Sequence, residues 1–151
     1  MSMKYFIGIL TLFFISSCTN TESQSLEKQV ISTDSAPASI GVYSQAIRSG
    51  NTLYLSGQIG LIPETRELAG DDLEAQTHQT LRNIQSVLEA AGYAMSDVVK
   101  AQVFLDDMND YSAFNEIYMT YFTTDPPARA VVEVSRIPLD AKVEIMVTAT
   151  K

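Results

Sequence analysis

The feature that most constrains the fold is a change of side-chain periodicity along the chain, from alternation to helical spacing and back. Thr52–Gln58 and Val99–Leu105 alternate between two kinds of side chain, as expected of β-strands with two different faces. Between them, apolar and small residues recur every three or four positions and stop at Gly92: Leu73, Thr77, Leu81, Ile84, Leu88 and Ala91. This spacing predicts an amphipathic helix, so the domain must pack helices on a sheet.

The remaining elements follow from turn and stop signals. Gly50-Asn51 separates Tyr43–Arg48 from Thr52–Gln58, which favours a tight hairpin. A second helix is predicted between Asn109 or Asp110, either of which can cap it, and Asp125-Pro126-Pro127, with one apolar side: Phe114, Ile117, Tyr118, Tyr121 and Phe122. Two further strands are Ala128–Ser135 and Lys142–Thr150. The order is ββαβαββ, an α+β fold with both helices on one face of a single sheet.

The last two strands indicate which side of the sheet meets the helices. We expect one face of each strand to lie beneath the helices: Ala130, Val132, Val134, Val143, Ile145 and Val147. The opposite face then combines apolar and charged residues: Arg129, Val131, Glu133, Glu144, Met146 and Thr148. A mixed face of this kind is more typical of a subunit interface than of bare surface, which predicts a homo-oligomer with sites where subunits meet.

The first eighteen residues predict a targeting segment. Lys4 precedes an apolar run, Tyr5–Ile15, that is shorter than the roughly twenty residues of a membrane span. Ile15-Ser16-Ser17-Cys18 resembles the lipobox of bacterial lipoproteins. We therefore predict a signal peptide at 1–17, a lipidated Cys18 with a flexible tether at 18–29, and the folded domain at 30–151. A plain secretory signal with an incidental cysteine is the alternative.

Cysteine count and charge limit the partners. Cys18 is the only cysteine, which excludes an internal disulfide and a CxxC metal motif. Its acyl chains would hold the protein outside the cytoplasm, anchored to a bacterial membrane through the N-terminal lipid alone. The chain has 18 acidic and 10 basic residues and a formal charge of −8, which becomes −9 without Lys4. We therefore expect no nucleic-acid partner, and no metal or phosphate-binding motif occurs.

Four motifs in order between Ile31 and Lys151 resemble the Rid family, the YjgF-like reactive intermediate deaminases. They begin at Ala36-Pro37-Ala38, Ser56-Gly57-Gln58, Pro127-Ala128-Arg129 and Lys142-Val143-Glu144. The resemblance implies a chorismate-mutase-like homotrimer with sites in the clefts between subunits. It also implies hydrolysis of 2-imino acids, or their 2-aminoacrylate enamine tautomers, to 2-keto acids and ammonia. This 2-iminobutanoate/2-iminopropanoate deaminase activity needs no cofactor.

The resemblance assigns roles to matching residues. Arg129 would bind the substrate carboxylate with two parallel hydrogen bonds, and Glu144 would position the attacking water. Tyr43, Ser56 and Asn115 would line the cleft, and Gly57 would allow a close backbone approach. Two structural alternatives stay open: a salt bridge from Arg129 at a subunit interface, with Glu133 as one candidate partner, and neutralisation of Arg129 by Glu144.

Two residues limit this comparison. Val131 replaces a cysteine that many family members have two positions after the arginine, which excludes a thiol-dependent mechanism here. His78, the only histidine, has no partner at ligand spacing and is predicted to lie on the surface. Two other functions remain as alternatives: a non-catalytic module that binds small carboxylates and, less favoured, an endoribonuclease.

Overall fold

The computed structural model describes residues 27–151, which form one mixed sheet and two α-helices. The elements in chain order are β1 (Lys28–Ile31), β2 (Ala46–Ser49), β3 (Thr52–Leu55), β4 (Gln58–Ile59), α1 (Leu73–Ala90), β5 (Val98–Leu105), α2 (Tyr111–Tyr121), β6 (Ala128–Glu133) and β7 (Val143–Thr150). The sheet order is β1-β2-β3-β7-β5-β6, with β4 also paired to β7. Only the β5–β6 pair is parallel.

The α+β fold with two helices over one sheet is confirmed. The structure adds two strands that the sequence pattern did not indicate. The short β4 pairs with β7, and β1 begins at Lys28, inside the range predicted to be a tether. Four residues of β1 pair antiparallel with β2, which explains why so polar a segment is ordered. The predicted signal peptide, Cys18 and the tether up to residue 26 lie outside the described residues.

The core lies between α1 and the helix-facing side of the sheet. In β7, Val143, Ile145 and Val147 are buried and alternate with half-buried Glu144, Met146 and Thr148, as predicted. On α1 the fully buried apolar residues are Leu81, Ile84, Val87 and Leu88. Asp72 caps this helix, because its carboxylate accepts a hydrogen bond from the Ala75 N–H at 2.8 Å.

The face of β6 that lies towards the helices is the opposite of the one predicted. Arg129 pairs in register with Ala101 of β5, and Ala101 lies opposite the buried Val147, so Arg129 points to the helix-covered face. Val131 packs against the core in the same way, whereas Val132 is 45% exposed. The prediction was wrong because alanine and valine occupy both sides of this strand. Alternation alone could not decide which side is buried, and the register with β5 does.

The sheet face away from the helices, here called the open face, is uncovered in a single chain. Cross-strand pairing in β5, β6 and β7 puts Phe104, Val132 and Glu144 side by side on it. Tyr54, on the same face, is 52% exposed. The open face therefore has the mixed apolar and charged character predicted from the sequence, although β6 contributes Ala130 and Val132 to it rather than Arg129 and Val131.

Candidate functional site

A pocket of about 300 Å³ opens where β4 meets β7. It brings together four of the predicted site residues: Tyr43, Ser56, Gly57 and Glu144. Most of its remaining wall is apolar, formed by Pro37, Ala38, Ile40, Ile59, Leu61 and Pro138. We call this the glutamate pocket. Concave, mostly apolar sites with a few convergent polar groups are typical of small-molecule binding.

The Glu144 carboxylate lies directly over the backbone of Gly57. A Cβ atom at position 57 would fall 1.9 Å from Glu144 Oε1 and 2.8 Å from its Cδ, so a larger residue there would force this carboxylate to move. Burial raises the pKa of Glu144 above its usual value. Among the described residues, Glu144 forms no salt bridge. The alternative that it merely neutralises Arg129 is therefore not supported within one chain.

One wall of the glutamate pocket is held by Gln45, which is 3% exposed. Its side-chain amide donates hydrogen bonds to the carbonyls of Thr33, Ala36 and Pro37, at 3.0, 3.2 and 2.9 Å. The Ser56 hydroxyl donates to the Ser44 carbonyl at 2.7 Å, which leaves the hydroxyl oxygen to accept from a ligand. The sequence pattern assigns Gln45 no role, because its hydrogen-bond partners lie 8 to 12 residues away along the chain.

The opposite wall depends on a residue that the sequence analysis missed. Asn83 of α1 is 1% exposed and donates to the carbonyls of Ile59 and Leu61 at 3.1 and 2.9 Å. Gln76, equally buried, donates to the Gly70 carbonyl and accepts from the Lys142 N–H. A signal was present in the sequence: amide residues occur on the buried face of an amphipathic helix, where each must find a hydrogen-bond partner.

Arg129 and Asn115 form a second group, the arginine cluster, beneath α2. Arg129 Nη2 donates a hydrogen bond to Asn115 Oδ1 at 2.6 Å. The guanidinium carbon lies 4.5, 5.5 and 5.9 Å from the ring centroids of Tyr118, Phe114 and Tyr111, respectively. Among the described residues of one chain, Arg129 forms no salt bridge to Glu133, whose carboxylate accepts from the Met108 N–H.

The electrostatics of the arginine cluster follow from these contacts. In residues 27–151, no carboxylate forms a salt bridge with Arg129, so its positive charge is uncompensated. Hydrogen bonds from Asn115 and then Arg129 lower the pKa of Tyr111, whereas burial raises the pKa of Tyr118 to about 12. An arginine held by a neutral amide and aromatic rings can bind an external carboxylate.

The two groups do not meet within one chain. Arg129 pairs with Ala101 on the helix-covered face, whereas Glu144 pairs with Phe104 on the open face. The prediction that Arg129 and Glu144 share one face is therefore wrong, for the reason given for β6. A site that uses both side chains needs the open face of one copy against the arginine cluster of another.

His78 contacts the aromatic side of α2. His78 is half-buried, and its Nδ1 lies 2.9 Å from the Tyr121 hydroxyl, so it joins the two helices instead of lying free on the surface as predicted. Tyr118 and Phe122 belong to the core, as predicted. Across the described part of the chain, no group of three or more His, Cys, Asp and Glu side chains is placed to hold a metal ion.

Comparison with known proteins now assigns the family. The family model described as Endoribonuclease L-PSP matches residues 33–151. The chain belongs to this family, which includes the Rid proteins. A RutC family protein of Pyrococcus horikoshii is 51% identical over 124 residues, covering 82% of this chain and 98% of that protein. The mouse 2-iminobutanoate/2-iminopropanoate deaminase is 44% identical over 127 residues, covering 84% and 94%.

Solved structures of the family have the same fold. The crystal structure of YyfA, a Rid family protein from Yersinia pestis, superposes with a TM-score of 0.81 at 47% identity. The match covers 83% of this chain and 100% of that one. Two relatives at 44% identity are named as deaminases: the mouse protein and the chloroplastic Reactive Intermediate Deaminase A of Arabidopsis thaliana.

The comparisons overturn the predicted lipoprotein anchor and extracytoplasmic location. The relatives that match along the domain include archaeal, mammalian and chloroplast proteins, and none of these is named as a lipoprotein. The match spans 98% of the Pyrococcus protein, so residues before the domain have no counterpart there. The prediction was wrong because a short apolar run followed by Ile15–Cys18 is a pattern of low specificity. Within residues 27–151, no helix is long and apolar enough to cross a membrane.

Proposed function

We propose that this protein hydrolyses 2-imino acids, and their 2-aminoacrylate enamine tautomers, to 2-keto acids and ammonia. The observation that carries the proposal is that one chain provides both a cation and a carboxylate that form no salt bridge among the described residues. Arg129 has no carboxylate partner among the described residues, and Glu144 is a partly desolvated carboxylate in a mostly apolar pocket. The name of the mouse relative, a 2-iminobutanoate/2-iminopropanoate deaminase, supports the same chemistry.

Arg129 binds the substrate carboxylate. One guanidinium nitrogen is already occupied by Asn115, and the remaining N–H groups can form two parallel hydrogen bonds to a carboxylate. Ser56 and Tyr43, on the side of the glutamate pocket, offer hydroxyl groups to the substrate or to the water. The apolar wall receives the substrate's side chain.

Glu144 positions and deprotonates the attacking water. The raised pKa of Glu144 is closer to neutral pH than that of an ordinary glutamate. A general base is most effective when its pKa lies near the working pH. The water oxygen bonds to the imine carbon while one proton passes through Glu144 to the nitrogen, which gives a carbinolamine. The carbinolamine hydroxyl then gives its proton through Glu144 to the nitrogen, the carbon–nitrogen bond breaks, and ammonia leaves as the keto group forms. No cofactor is needed, because orientation and one charged clamp suffice for a substrate that already hydrolyses in water.

We further propose that the site is completed by a second copy in a homotrimer. Arg129 and Glu144 lie on opposite faces of one sheet, so a single chain supplies only half of the site. The open face supports this assembly, since it is apolar enough to be covered, with Tyr54 and Val132 about half exposed.

Turnover is tested with imines made in place by an amino-acid oxidase, with semicarbazide trapping what remains. Faster imine loss with the wild-type protein, abolished in Arg129→Ala, supports the hydrolase. The Glu144→Gln variant separates hydrolase from binding module, because a pure binder keeps its affinity for 2-keto acids and has no turnover to lose. A folded wild-type sample without acceleration across imines of several sizes would refute the hydrolase.

The shared site is tested by mixing inactive variants. Arg129→Ala and Glu144→Gln subunits are unfolded together, refolded and assayed. If each site takes Arg129 from one subunit and Glu144 from the next, a random mixture regains about a quarter of wild-type activity. Refolding each variant alone is the control and should give none. A mixture as inactive as its components would show that both residues act from one chain.

The endoribonuclease alternative is disfavoured by charge. The chain carries a net charge of −8, which repels a phosphate backbone on average. RNA affinity that persists in physiological salt would reverse this conclusion.

A further inference from the structure

Tyr118 stands out among the residues around Arg129 because its ring is the closest. Its centroid lies 4.5 Å from the guanidinium carbon, whereas Phe114 and Tyr111 lie about an ångström or more further away. Tyr118 is 5% exposed and Tyr111 is 40% exposed. A cation–π contact is strongest where water is excluded, so Tyr118 provides the main surface for Arg129.

The orientation of this ring is itself fixed. Tyr118 stacks on Phe122, with centroids 4.4 Å apart and an angle of 28° between the rings. It also packs against Phe114 at 5.4 Å. Rings packed in this way have few alternative rotamers, because the core around them is dense. Arg129 therefore rests on a rigid platform instead of a mobile side chain.

The hydroxyl group of Tyr118 does not explain why the residue is there. Its oxygen is buried without a hydrogen-bond partner among the described residues. An unpaired buried hydroxyl is unfavourable, and the contact that Tyr118 makes with Arg129 is through its aromatic face. The pKa of about 12 means that the ring stays an uncharged phenol at neutral pH.

We propose that Tyr118 is a positioning residue whose ring holds the Arg129 guanidinium in the orientation that receives the substrate carboxylate. This inference rests on the proposed carboxylate-binding role of Arg129. Asn115 fixes one nitrogen of the Arg129 guanidinium, and the Tyr118 ring fixes the plane of that group. Without the ring, Arg129 must lose side-chain entropy when the substrate binds, so affinity falls while the chemical step is unchanged.

Three substitutions separate the role of the ring from that of the hydroxyl. Tyr118→Leu and Tyr118→Met remove the aromatic face, and either should raise KM for the imine about threefold to thirtyfold while kcat stays within about twofold. Tyr118→Phe keeps the face and should retain the wild-type KM. Methionine has a flexible, unbranched side chain that adapts to irregular space in a core, so Tyr118→Met tests the proposal where the leucine variant fails to fold.

Tyr93→Leu is the matched control. Tyr93 is another buried tyrosine, 6% exposed, but its ring lies against Lys151 and not Arg129. It should lose thermal stability without any rise in KM. An equal rise in KM for Tyr93→Leu would assign the effect to general core packing and overturn the proposal. An unchanged KM in Tyr118→Met would also overturn it.

A binding measurement keeps this inference separate from the hydrolase proposal. The dissociation constant of 2-oxobutanoate, a 2-keto acid of the proposed product class, is measured by NMR titration for each variant. Weakened binding in Arg129→Ala and Tyr118→Met, with normal binding in Tyr118→Phe, supports the platform even if no imine is hydrolysed. Equal affinity in Tyr118→Met and Tyr118→Phe would refute it.

Discussion

The Glu144 carboxylate occupies the space that any side chain at position 57 would need, with Oε1 only 1.9 Å from where a Cβ of residue 57 would lie. Gly57 lies between β3 and β4 and Glu144 lies near the start of β7, so two segments far apart in sequence meet here. The close approach explains why a glycine stands between Ser56 and Gln58 in the pocket wall. A substitution at Gly57 should therefore change the position of the Glu144 carboxylate directly.

We expect Gly57→Ala to displace the Glu144 carboxylate and to lower kcat/KM for imine hydrolysis about 10²-fold, because small misplacements of a reacting group are costly. Steady-state kinetics with imines made by an oxidase checks this. Gly92→Ala is the control: its φ of +79° disfavours alanine by about 1 kcal/mol, but no atom lies within 4 Å of the new Cβ. It should lower Tm and leave kcat/KM unchanged. Wild-type activity in Gly57→Ala would contradict the expectation.

Glu144 should make stability depend on pH in a defined direction. Burial raises its pKa, so the folded protein holds this proton more tightly than the unfolded chain does. Its contribution to stability is fully present below the unfolded pKa of about 4.3 and is lost as pH rises through the raised folded pKa. Glu144→Gln should therefore have a higher Tm than wild type above that window and nearly the same Tm below it.

Thermal unfolding of both proteins between about pH 3 and pH 8 checks this expectation. A Tm difference that does not change with pH would count against it. Glu144 should also make activity depend on pH, because kcat/KM of the wild-type protein should rise with pH as Glu144 ionises. Glu144→Gln should be slow across the whole range.

Asn115→Asp should damage the arginine cluster more than Asn115→Leu does. The asparagine oxygen accepts from Arg129 without carrying charge, whereas an aspartate there would neutralise the guanidinium. We expect KM for the imine to rise about tenfold or more in Asn115→Asp, and less in Asn115→Leu, where Arg129 keeps its charge. Equal KM values in the two variants would mean that the free charge of Arg129 is not what binds the substrate.

Asn83→Ala should destabilise the fold and loosen the pocket wall. It leaves the carbonyls of Ile59 and Leu61 without their donor, which should cost about 1 to 3 kcal/mol of unfolding free energy. Denaturant unfolding measures the loss. Gln85→Ala, an exposed position on the same helix, is the control and should change stability by less than about 0.5 kcal/mol. A loss no larger than that of the control would show that water replaces the amide.

Much of the fold could be predicted because local patterns record burial. The spacing of Leu81, Ile84 and Leu88 identified α1, and the alternation of Val143, Ile145 and Val147 identified the buried side of β7. The lipobox-like segment ending at Cys18 shows the opposite case. A short pattern with no contacts to test it suggested an anchor that the family comparisons contradict.

The candidate site was predictable residue by residue, but its arrangement was not. Arg129 and Glu144 could be singled out by family resemblance, yet the prediction put them on one face of the sheet. Valine and alanine on both sides of β6 gave no alternation to follow, and only pairing with Ala101 of β5 decides the side. The supporting roles of Gln45, Asn83 and Tyr118 depend on partners distant in sequence, which local patterns do not record.

The sequence by itself determined the α+β class, the order of the main elements and the chemical identity of the candidate residues, because apolar periodicity and side-chain chemistry are properties of the chain. Tertiary structure decided which residues meet. It placed Glu144 against Gly57, seated Arg129 on the Tyr118 ring and separated the two charges across the sheet. The physical reason is that strand register and helix packing are set by contacts between distant segments, so they exist only once the chain has folded.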